Sequence, residues 1–372
     1  MPNNIKNKQA LLIIIGIIFL IGCFVFLKKF VFDTRIDLKT EVKTGNINVV
    51  LLGKGGANHE GPDLTDTIIV ATINPEKDLV NLISIPRDLW VPDLQDKINT
   101  AYAYGQERDK QGKLLAKTSI AKITGKKIDY VFVIDFSGFV KLVDHLGGID
   151  VVVENTLDDY QYPVEGKEDD NCGKTDEEIV ELSEQVASGA AVENEAFACR
   201  YKHIHFDKGI KHMSGKQALE FVRSRHGLRG EGSDFARSQS QQNVINAIKN
   251  KSLSLGVLLN PIKVLGALNI IKENIDMNAK ASEVDDFINL AKKMQNAQIK
   301  SSVIDIGSDA EERNGLLIHP PISEEQKYKW VLIPRVGDGN FSEIQTYITC
   351  VENGNVCQVA RSGIVIEAKK SR

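Results

Sequence analysis

The sequence of 372 residues lacks internal repeats and low-complexity tracts, which excludes a repeat protein. It has no excess of positive charge: the formal net charge is −4, so a nucleic-acid partner is not indicated. The glycine-rich loop at residues 53–67 lacks the Gly-Lys-Ser/Thr ending of a P-loop, G-x-G-x-x-G does not occur, and no Ser-His-Asp arrangement is visible. Hydrophobic residues make up 42% and charged residues 26%, an ordinary globular composition for a chain long enough to bury a sizeable core.

The longest apolar run covers residues 10–27 and contains no charge. As a helix it would span roughly 27 Å at ~1.5 Å per residue, close to the ~30 Å hydrocarbon core of a bilayer. No small-residue cleavage site follows, so residues 11–27 are interpreted as an uncleaved transmembrane signal anchor. Lysines flank both ends, so the positive-inside rule does not give the orientation. An alternative is a lipoprotein box at Leu20-Ile21-Gly22-Cys23, although the apolar run continues beyond Cys23.

Four further cysteines form two close pairs, Cys172 with Cys199 and Cys350 with Cys357. A disulfide within each pair is preferred, although four cysteines permit three pairings and free buried thiols are an alternative. Asn-Gly-Asn between the second pair predicts a hairpin turn whose strands face each other. The cysteine spacings do not match a zinc site.

The histidines suggest another metal site, because His203 and His205 alternate along a predicted strand and His212 follows closely. Alternating histidines are more often surface or core residues, so a zinc site here is the less favoured interpretation.

Buried-strand patterns occur at residues 46–53, 65–74, 78–86, 126–135 and 149–154, and residues 136–148 have helical periodicity. This strand–helix–strand order resembles a βαβ unit. It predicts an α/β (α+β) fold with a central mixed β-sheet flanked by helices, preceded by an N-terminal transmembrane helix. The predicted organisation is a cytoplasmic N-terminus at 1–10, the anchor at 11–27, a linker at 28–45, an extracytoplasmic domain at 46–310 with a polar insertion at about 155–205, and a C-terminal extension at 311–372.

Two polar clusters follow predicted strands. Residues 53–67 form a glycine-rich loop, whose backbone amides can approach a phosphate closely, and Asp66 at its end is a candidate Mg²⁺ ligand. In residues 84–102, Pro86 stops a strand and Arg87 follows as a bidentate phosphate donor, with Lys97 as a second cation. Taken singly, Asp66 is better explained as a turn-stabilising side chain, and Arg87 as a surface partner of its neighbour Asp88.

A third cluster covers residues 220–242. An extended conformation at Arg223-Ser224-Arg225 would place both arginines on one side. Asp234 begins a predicted helix and shares one face with Arg237 and Gln241, and this face then becomes apolar. Polar residues in line with an apolar stripe, rather than opposite it, predict a core helix whose first turns project into a polar pocket.

The motifs TDTIIVATINPEKDLVNLISIPRDLWV, KIN, DFSGFVKLVDHLGGIDVVV, HMSGKQALEFVRSR and DFARSQSQQNVI, in order over residues 46–251, resemble the LytR-CpsA-Psr family. The resemblance implies a membrane-anchored enzyme with its catalytic domain outside the cell. Such enzymes transfer a glycopolymer, for example teichoic acid or capsular polysaccharide, from a polyprenyl-pyrophosphate carrier to peptidoglycan. It also implies Mg²⁺ as cofactor and arginines that bind the pyrophosphate.

Carried over by position, the resemblance implies a set of site residues. The metal ligands are Asp66 and Asp63; the pyrophosphate-binding residues are Arg87, Lys97, Arg223, Arg225, Arg237 and Gln241; the catalytic residues are Arg87, Arg223, Arg225 and Asp234.

The sequence departs from the family pattern at two places. Many members have Gly-x-Asp-x-Arg where this chain has Gly53-Lys54-Gly55-Gly56-Ala57, so Asp63 or Glu60 is expected to replace the carboxylate and Lys54 the cation. Ser240 stands where an arginine is frequent. Either Asp234 or Asp88 is expected to act as the general base, and the sequence does not choose between them. A polyprenyl-pyrophosphate hydrolase and a non-catalytic receptor or regulator of envelope glycans are the alternative functions.

Overall fold

The computed structural model describes residues 45–56, 61–167, 169–252, 254–258, 260–308 and 312–367. The predicted anchor at 11–27 and nearly all of the linker lie outside these residues. Within the described part of the chain, no helix is both long enough and apolar enough to cross a membrane. Two units are distinguished: Asn46–Ala279 with Gln295–Arg372, and Met1–Gly45 with Lys280–Met294.

The strands range from two to ten residues in length. They are β1 Ile47–Lys54, β2 Thr65–Asn74, β3 Leu79–Ser84, β4 Trp90–Val91, β5 Asp96–Lys97, β6 Tyr130–Asp135, β7 Ile149–Val153, β8 Leu157–Pro163, β9 Tyr201–Phe206, β10 Gly209–Met213, β11 Ile275–Met277, β12 Gln298–Val303, β13 Gly307–Ser308, β14 Arg313–Asn314, β15 Leu317–Ile318, β16 Ile333–Pro334, β17 Val356–Ala360 and β18 Gly363–Glu367.

Helices connect these strands and cover the sheet. They are α1 Thr100–Asp109, α2 Gly112–Thr124, α3 Phe136–His145, α4 Asp176–Ala187, α5 Glu193–Ala196, α6 Gly215–Arg223, α7 Asp234–Ser252, α8 Leu255–Leu258, α9 Pro261–Asn274, α10 Val284–Lys293 and α11 Ser342–Glu352. Helix α10 belongs to the smaller unit and all the others to the larger one.

The central sheet has six strands in the order β11-β6-β1-β2-β3-β12. Strand β1 is parallel to β6 and antiparallel to β2, β3 is antiparallel to β2, and β12 is parallel to β3. The predicted mixed sheet flanked by helices is therefore confirmed. Because β1, β3 and β6 all run in one direction, their carboxyl ends meet at one edge, together with the beginning of β2. In open α/β sheets, ligands bind at that edge.

One core fills the space between the sheet, α1, α2 and the C-terminal segment. Leu316, Leu332, Phe341 and Ile344 are buried in it beside side chains of the central strands. The sequence predicts a C-terminal extension at residues 311–372. Their burial in this core shows that they pack as part of the larger unit.

A second core lies under β7, β8 and β9 and is closed by α3, α6 and α7. Its geometry corrects the predicted βαβ unit, because β7 pairs antiparallel with β10 in a separate two-stranded sheet. The turn after α3 uses two consecutive glycines, Gly147 at φ 82° and Gly148 at φ 80°, a conformation that side chains disfavour. This turn leads the chain away from the edge of the central sheet, so β7 pairs with β10 and not with a central strand.

Helix α6 begins with a capping box, in which Ser214 and Gln217 satisfy each other's backbone N–H groups. Gly215 follows, and a methyl group there would overlap the backbone carbonyl oxygen of Val140 in α3. The Gly215 N–H donates to Asp144 Oδ1 at 2.7 Å. These contacts fix the packing of α6 against α3, and hence the position of its last residue, Arg223.

Both predicted disulfides are confirmed, Cys172–Cys199 and Cys350–Cys357. The predicted hairpin between the second pair is wrong, because Cys350 lies in α11 and Cys357 in β17. The Asn-Gly turn ends a helix instead, with Gly354 at φ 77°, and β17 forms its hairpin with β18. The first disulfide closes the excursion that joins β8 to β9.

Candidate active site

A cavity of about 420 Å³ lies at the edge where the central strands end and the β8–β9 ribbon folds over them. This volume is in the range of small-molecule sites. Four arginines and two aspartates are among the lining residues, so the charge of the wall is positive. The lining residues are Asp66, Thr67, Arg87, Phe136, Asp159, Gln161, Tyr162, Pro163, Tyr201, Val222, Arg223, Arg225, His226, Arg237 and Gln241.

Arg87 follows the end of β3 and is bracketed by two carboxylates. Its Nη1 donates to Asp66 Oδ1 in a short ion pair, and its Nε lies 3.4 Å from Asp88 Oδ2. Asp66 is within reach because it stands at the start of β2, the antiparallel neighbour of β3. Burial of the guanidinium opposes its charge, but the attraction of Asp66 and Asp88 outweighs burial, so the pKa of Arg87 lies above its ordinary value. Arg87 is thus a fixed cation at the base of the cavity.

Arg223 and Arg225 both line the cavity, but not by the predicted extended conformation. Arg223 is the last residue of α6, and Ser224 caps this helix at φ −53° and ψ 134°. The chain turns at Ser224, and it is this helix end that brings both side chains to the cavity. The Arg223 guanidinium lies over the Phe136 ring at 4.2 Å from its centroid, a cation–π contact that orients it.

Asp159 is a site residue that the sequence analysis missed. Its side chain is fully buried, at 0% exposure, on the inner face of β8. Asp159 Oδ2 accepts from the Ser224 hydroxyl at 2.7 Å and from the backbone N–H groups of Arg225 at 3.3 Å and His226 at 3.2 Å. Asp159 Oδ1 accepts from the Gln161 N–H at 2.8 Å. This carboxylate therefore holds the backbone that carries Arg225.

Helix α7 supplies Arg237 and Gln241 to the cavity, one turn apart on one face. Gln241 Nε2 lies 3.5 Å from Thr67 Oγ1 in β2, which ties the helix to the sheet. Further along α7, Val244 and Ala247 are buried in the second core. Ile248, which continues the face of Arg237 and Gln241, packs partly buried against the same core. Asp234 begins α7, and its side chain lies outside the described residues.

The structure does not bring Lys97 and Asp63 into the cavity wall; each is held by another side chain. Lys97 Nζ donates to Asp88 Oδ1 at 2.6 Å, so it acts on Arg87 through the shared Asp88. Asp63 Oδ1 accepts from Lys54 Nζ at 2.6 Å. Among the described residues, no group of three metal-ligating side chains contains Asp66 or Asp63. The donor set at the cavity fits a metal held by one carboxylate, Asp66, with the remaining ligands from a bound phosphate or water.

Aromatic and aliphatic side chains form the rest of the wall, chiefly Phe136, Tyr162, Tyr201 and Val222. Tyr162 is 5% exposed, and burial raises its pKa to about 12 although Arg223 opposes the shift. Its hydroxyl is therefore neutral at physiological pH. The cavity has a positively charged floor and an apolar side wall, a combination that suits an amphiphilic phosphate ester.

Comparison with known proteins agrees with this architecture. The sequence model of the LytR_cpsA_psr family matches residues 28–326, which is more than half of the chain. The protein belongs to the LytR-CpsA-Psr family.

One curated relative is the Bacillus mycoides polyisoprenyl-teichoic acid–peptidoglycan teichoic acid transferase TagU. It is 27% identical over 273 residues, which cover 72% of this chain and 70% of the relative. The crystal structure of B. subtilis TagV has a TM-score of 0.52 at 22% identity and covers 83% of this chain and 97% of that one. The structure of TagT bound to LI-WTA has a TM-score of 0.50 at 21% identity and covers 85% and 94%. At these identities the structural likeness shows the fold.

Proposed function

We propose that this protein is a glycopolymer phosphotransferase that moves a glycan chain from a polyprenyl-pyrophosphate carrier to peptidoglycan. The convergence of Arg87, Arg223, Arg225 and Arg237 in one cavity carries this proposal. Arginines from three separate segments of the chain meet there, at the carboxyl ends of the central strands. A solvated surface does not require such an arrangement, whereas a diphosphate does. The relative named as a teichoic acid transferase supports the glycopolymer as substrate.

Transfer from a pyrophosphate needs negative charge to be stabilised on both the transferred and the leaving phosphate, with little covalent work by the protein. Arg87 is held between Asp66 and Asp88, and Arg223 is held on the Phe136 ring. Donors that are fixed before the reaction stabilise developing charge without reorganising. Asp66 would hold Mg²⁺ together with phosphate oxygens, and the ion would supply further charge neutralisation.

The acceptor would be a sugar hydroxyl of peptidoglycan, and its proton must go to a base. Asp88 is engaged by Lys97 at 2.6 Å and by Arg87 at 3.4 Å, so it orients these cations rather than accepting a proton. Asp234 at the start of α7 is the base in this proposal. The apolar wall around Tyr162 and Val222 would face the first isoprene units of the carrier.

The proposed localisation is the cytoplasmic membrane, with residues 11–27 as a single-pass anchor and the catalytic domain outside the cell. Two disulfides, Cys172–Cys199 and Cys350–Cys357, support the extracytoplasmic placement because such bonds persist in oxidising compartments.

The test incubates the purified full-length chain with a polyprenyl-pyrophosphate-linked glycan, peptidoglycan oligomers and Mg²⁺. Glycan attached to peptidoglycan is the expected product. Free glycan phosphate without attachment would identify a hydrolase instead. If neither product forms while the lipid pyrophosphate still binds, the protein is a receptor and the transferase proposal is wrong.

Two arginines of the same short segment give a matched pair of variants for this assay. Arg225→Ala is expected to lower the transfer rate at least about 10²-fold, the typical cost of removing one transition-state donor. Arg229→Gln is the control, because Arg229 is exposed in the short turn at Leu228–Gly230 and is not among the lining residues. Equal transfer rates for the two variants would show that the arginine cavity does not take part in the reaction.

A further inference from the structure

The outer face of the β8–β9 ribbon carries a second cluster of potential ligand atoms, on the side opposite to the cavity wall. Asp158 in β8 lies directly across from His205 in β9 in the antiparallel register. His203 is two residues before His205, so both imidazoles project from the same face. The ligand atoms of Asp158, His203 and His205 all lie within 4.8 Å of one another.

The distances within this cluster bring both imidazoles to the same carboxylate oxygen. Asp158 Oδ1 lies 2.7 Å from His205 Nδ1 and 3.2 Å from His203 Nε2. Two nitrogens and one oxygen that converge on one point are the ligand set of many three-residue zinc sites, in which water completes the tetrahedron. All three side chains are partly exposed, at 20% for Asp158, 41% for His203 and 44% for His205, so an ion can enter from solvent.

The neighbouring groups orient the two imidazoles as metal ligands are oriented in known sites. His205 Nε2 lies 3.0 Å from Asp207 Oδ1, so the nitrogen that faces away from the cluster has a carboxylate partner. Such a partner fixes the tautomer that leaves the other nitrogen available for a metal. The His203 ring is stacked on Tyr160, with the centroids 3.9 Å apart and the planes at 3°. Both rings are therefore held in place before an ion binds.

We propose that Asp158, His203 and His205 form a binding site for a zinc-class divalent transition-metal ion. The His212 that the sequence grouped with these residues does not belong to the site, because its Nδ1 pairs with Asp150 at 2.7 Å. Instead Asp158, from a strand far away in sequence, provides the third ligand. Imidazole donors favour Zn²⁺ over the Mg²⁺ proposed for the cavity, so the two sites would take different ions.

An ion at this site would join β8 to β9 at the point where the ribbon also forms the cavity. Asp159, the next residue after Asp158, points inward and holds the backbone of Arg225. The ion would therefore stabilise the ribbon that positions a cavity arginine. Binding to the folded chain alone raises the melting temperature as the free metal concentration rises above the Kd.

The test measures Zn²⁺ bound to the full-length chain, by competition with a chromophoric zinc chelator and by elemental analysis after dialysis. One zinc per chain is expected for the wild type, together with a rise in Tm. Asp207→Asn is expected to weaken binding roughly 10-fold, within the usual range for an outer hydrogen-bond partner. His203→Ala and His205→Ala are expected to weaken it by more than this.

His212→Ala is the matched control, since it removes an exposed histidine that is paired with an aspartate elsewhere on the surface. It is expected to retain the zinc of the wild type. The proposal is overturned if the wild type holds no zinc after dialysis, or if His205→Ala holds as much as His212→Ala. Circular dichroism of the variants separates loss of ligand from loss of fold. The readout does not use the transferase reaction, so it is independent of the proposed function.

Discussion

The buried carboxylate of Asp159 provides the sharpest test of how the ribbon organises the arginine cavity. The change is Asp159→Asn, which keeps the size of the side chain. In the protein, Oδ2 accepts from Ser224, Arg225 and His226, and Oδ1 accepts from Gln161. An amide has only one oxygen, so its NH₂ group must face at least one N–H donor. One buried donor is then left without an acceptor, and the others lose the charge of their partner.

The expected cost follows from these contacts. A buried donor without an acceptor costs about 1–3 kcal/mol, and a hydrogen bond to a charged group contributes more than one to a neutral group. Asp159→Asn is therefore expected to lower the free energy of unfolding by about 2–4 kcal/mol. The displaced Arg225 backbone is expected to lower transfer activity on the order of 10²-fold, the effect of a misplacement of about 1 Å.

Asp158→Asn is a control from the adjacent position on the same strand. Asp158 faces solvent, where removal of an ion pair costs about 0–1 kcal/mol. Both variants are measured by urea denaturation in the presence of EDTA, so that metal binding at Asp158 plays no part. The argument fails if Asp159→Asn unfolds at the same urea concentration as Asp158→Asn, or if it retains wild-type activity.

Two further predictions concern the ribbon and helix α6. Hydrogen bonds to Asp158 and Asp207 raise the pKa of His205 above its ordinary value of about 6.5. The contribution of His205 to stability is therefore fully present below about pH 6.5 and is lost as the pH rises through its higher pKa in the folded protein. In metal-free NMR titrations, Asp158→Asn should lower the titration midpoint of His205. An unchanged midpoint would contradict the assignment. Gly215→Ala should destabilise by about 1–3 kcal/mol because its methyl overlaps backbone in α3, and an unchanged Tm would show that α6 can shift without cost.

The central sheet could be predicted from sequence because its strands are buried on both faces. Adjacent side chains point to opposite faces, and Val49, Val50, Ile69 and Val70 are each at most 5% exposed. Such continuous apolar runs are recognisable without knowledge of the neighbouring strands. Strand β7 is also rich in apolar residues, but it pairs with β10, which lies far along the chain. A local sequence pattern does not identify a partner at that distance. The element was therefore predicted, and its place in the fold was not.

The site was predicted as far as local motifs reach. Arg87 follows the end of a recognisable strand, Asp66 lies at the start of another, and both line the cavity. Asp158 and Asp159 are adjacent and chemically identical in the sequence, and burial alone distinguishes them. One faces two histidines in solvent and the other holds four donors in the interior. Because burial is a property of the packed ribbon, no spacing or composition could have assigned Asp159.

The glycine-rich loop at residues 53–67 shows a difference between the charges that a sequence carries and the positions that they take. The family pattern places a carboxylate and an arginine in this loop, and the chain retains both charges in Asp63 and Lys54. In the structure these two side chains satisfy each other at 2.6 Å. The loop therefore keeps both charged residues, but neither lines the cavity. Asp66 remains there as the predicted metal ligand.

A single carboxylate binds Mg²⁺ weakly unless phosphate oxygens complete the coordination. Asp66 is moreover engaged by Arg87, so in the proposed reaction the metal would compete with a guanidinium for the same carboxylate. A bound diphosphate relieves that competition, since it offers Arg87 a second anionic partner and the metal additional oxygens. Metal and lipid pyrophosphate are therefore expected to bind cooperatively, each tightening the other by the same factor. In this proposal, the cavity assembles its full charge arrangement only when the substrate is present.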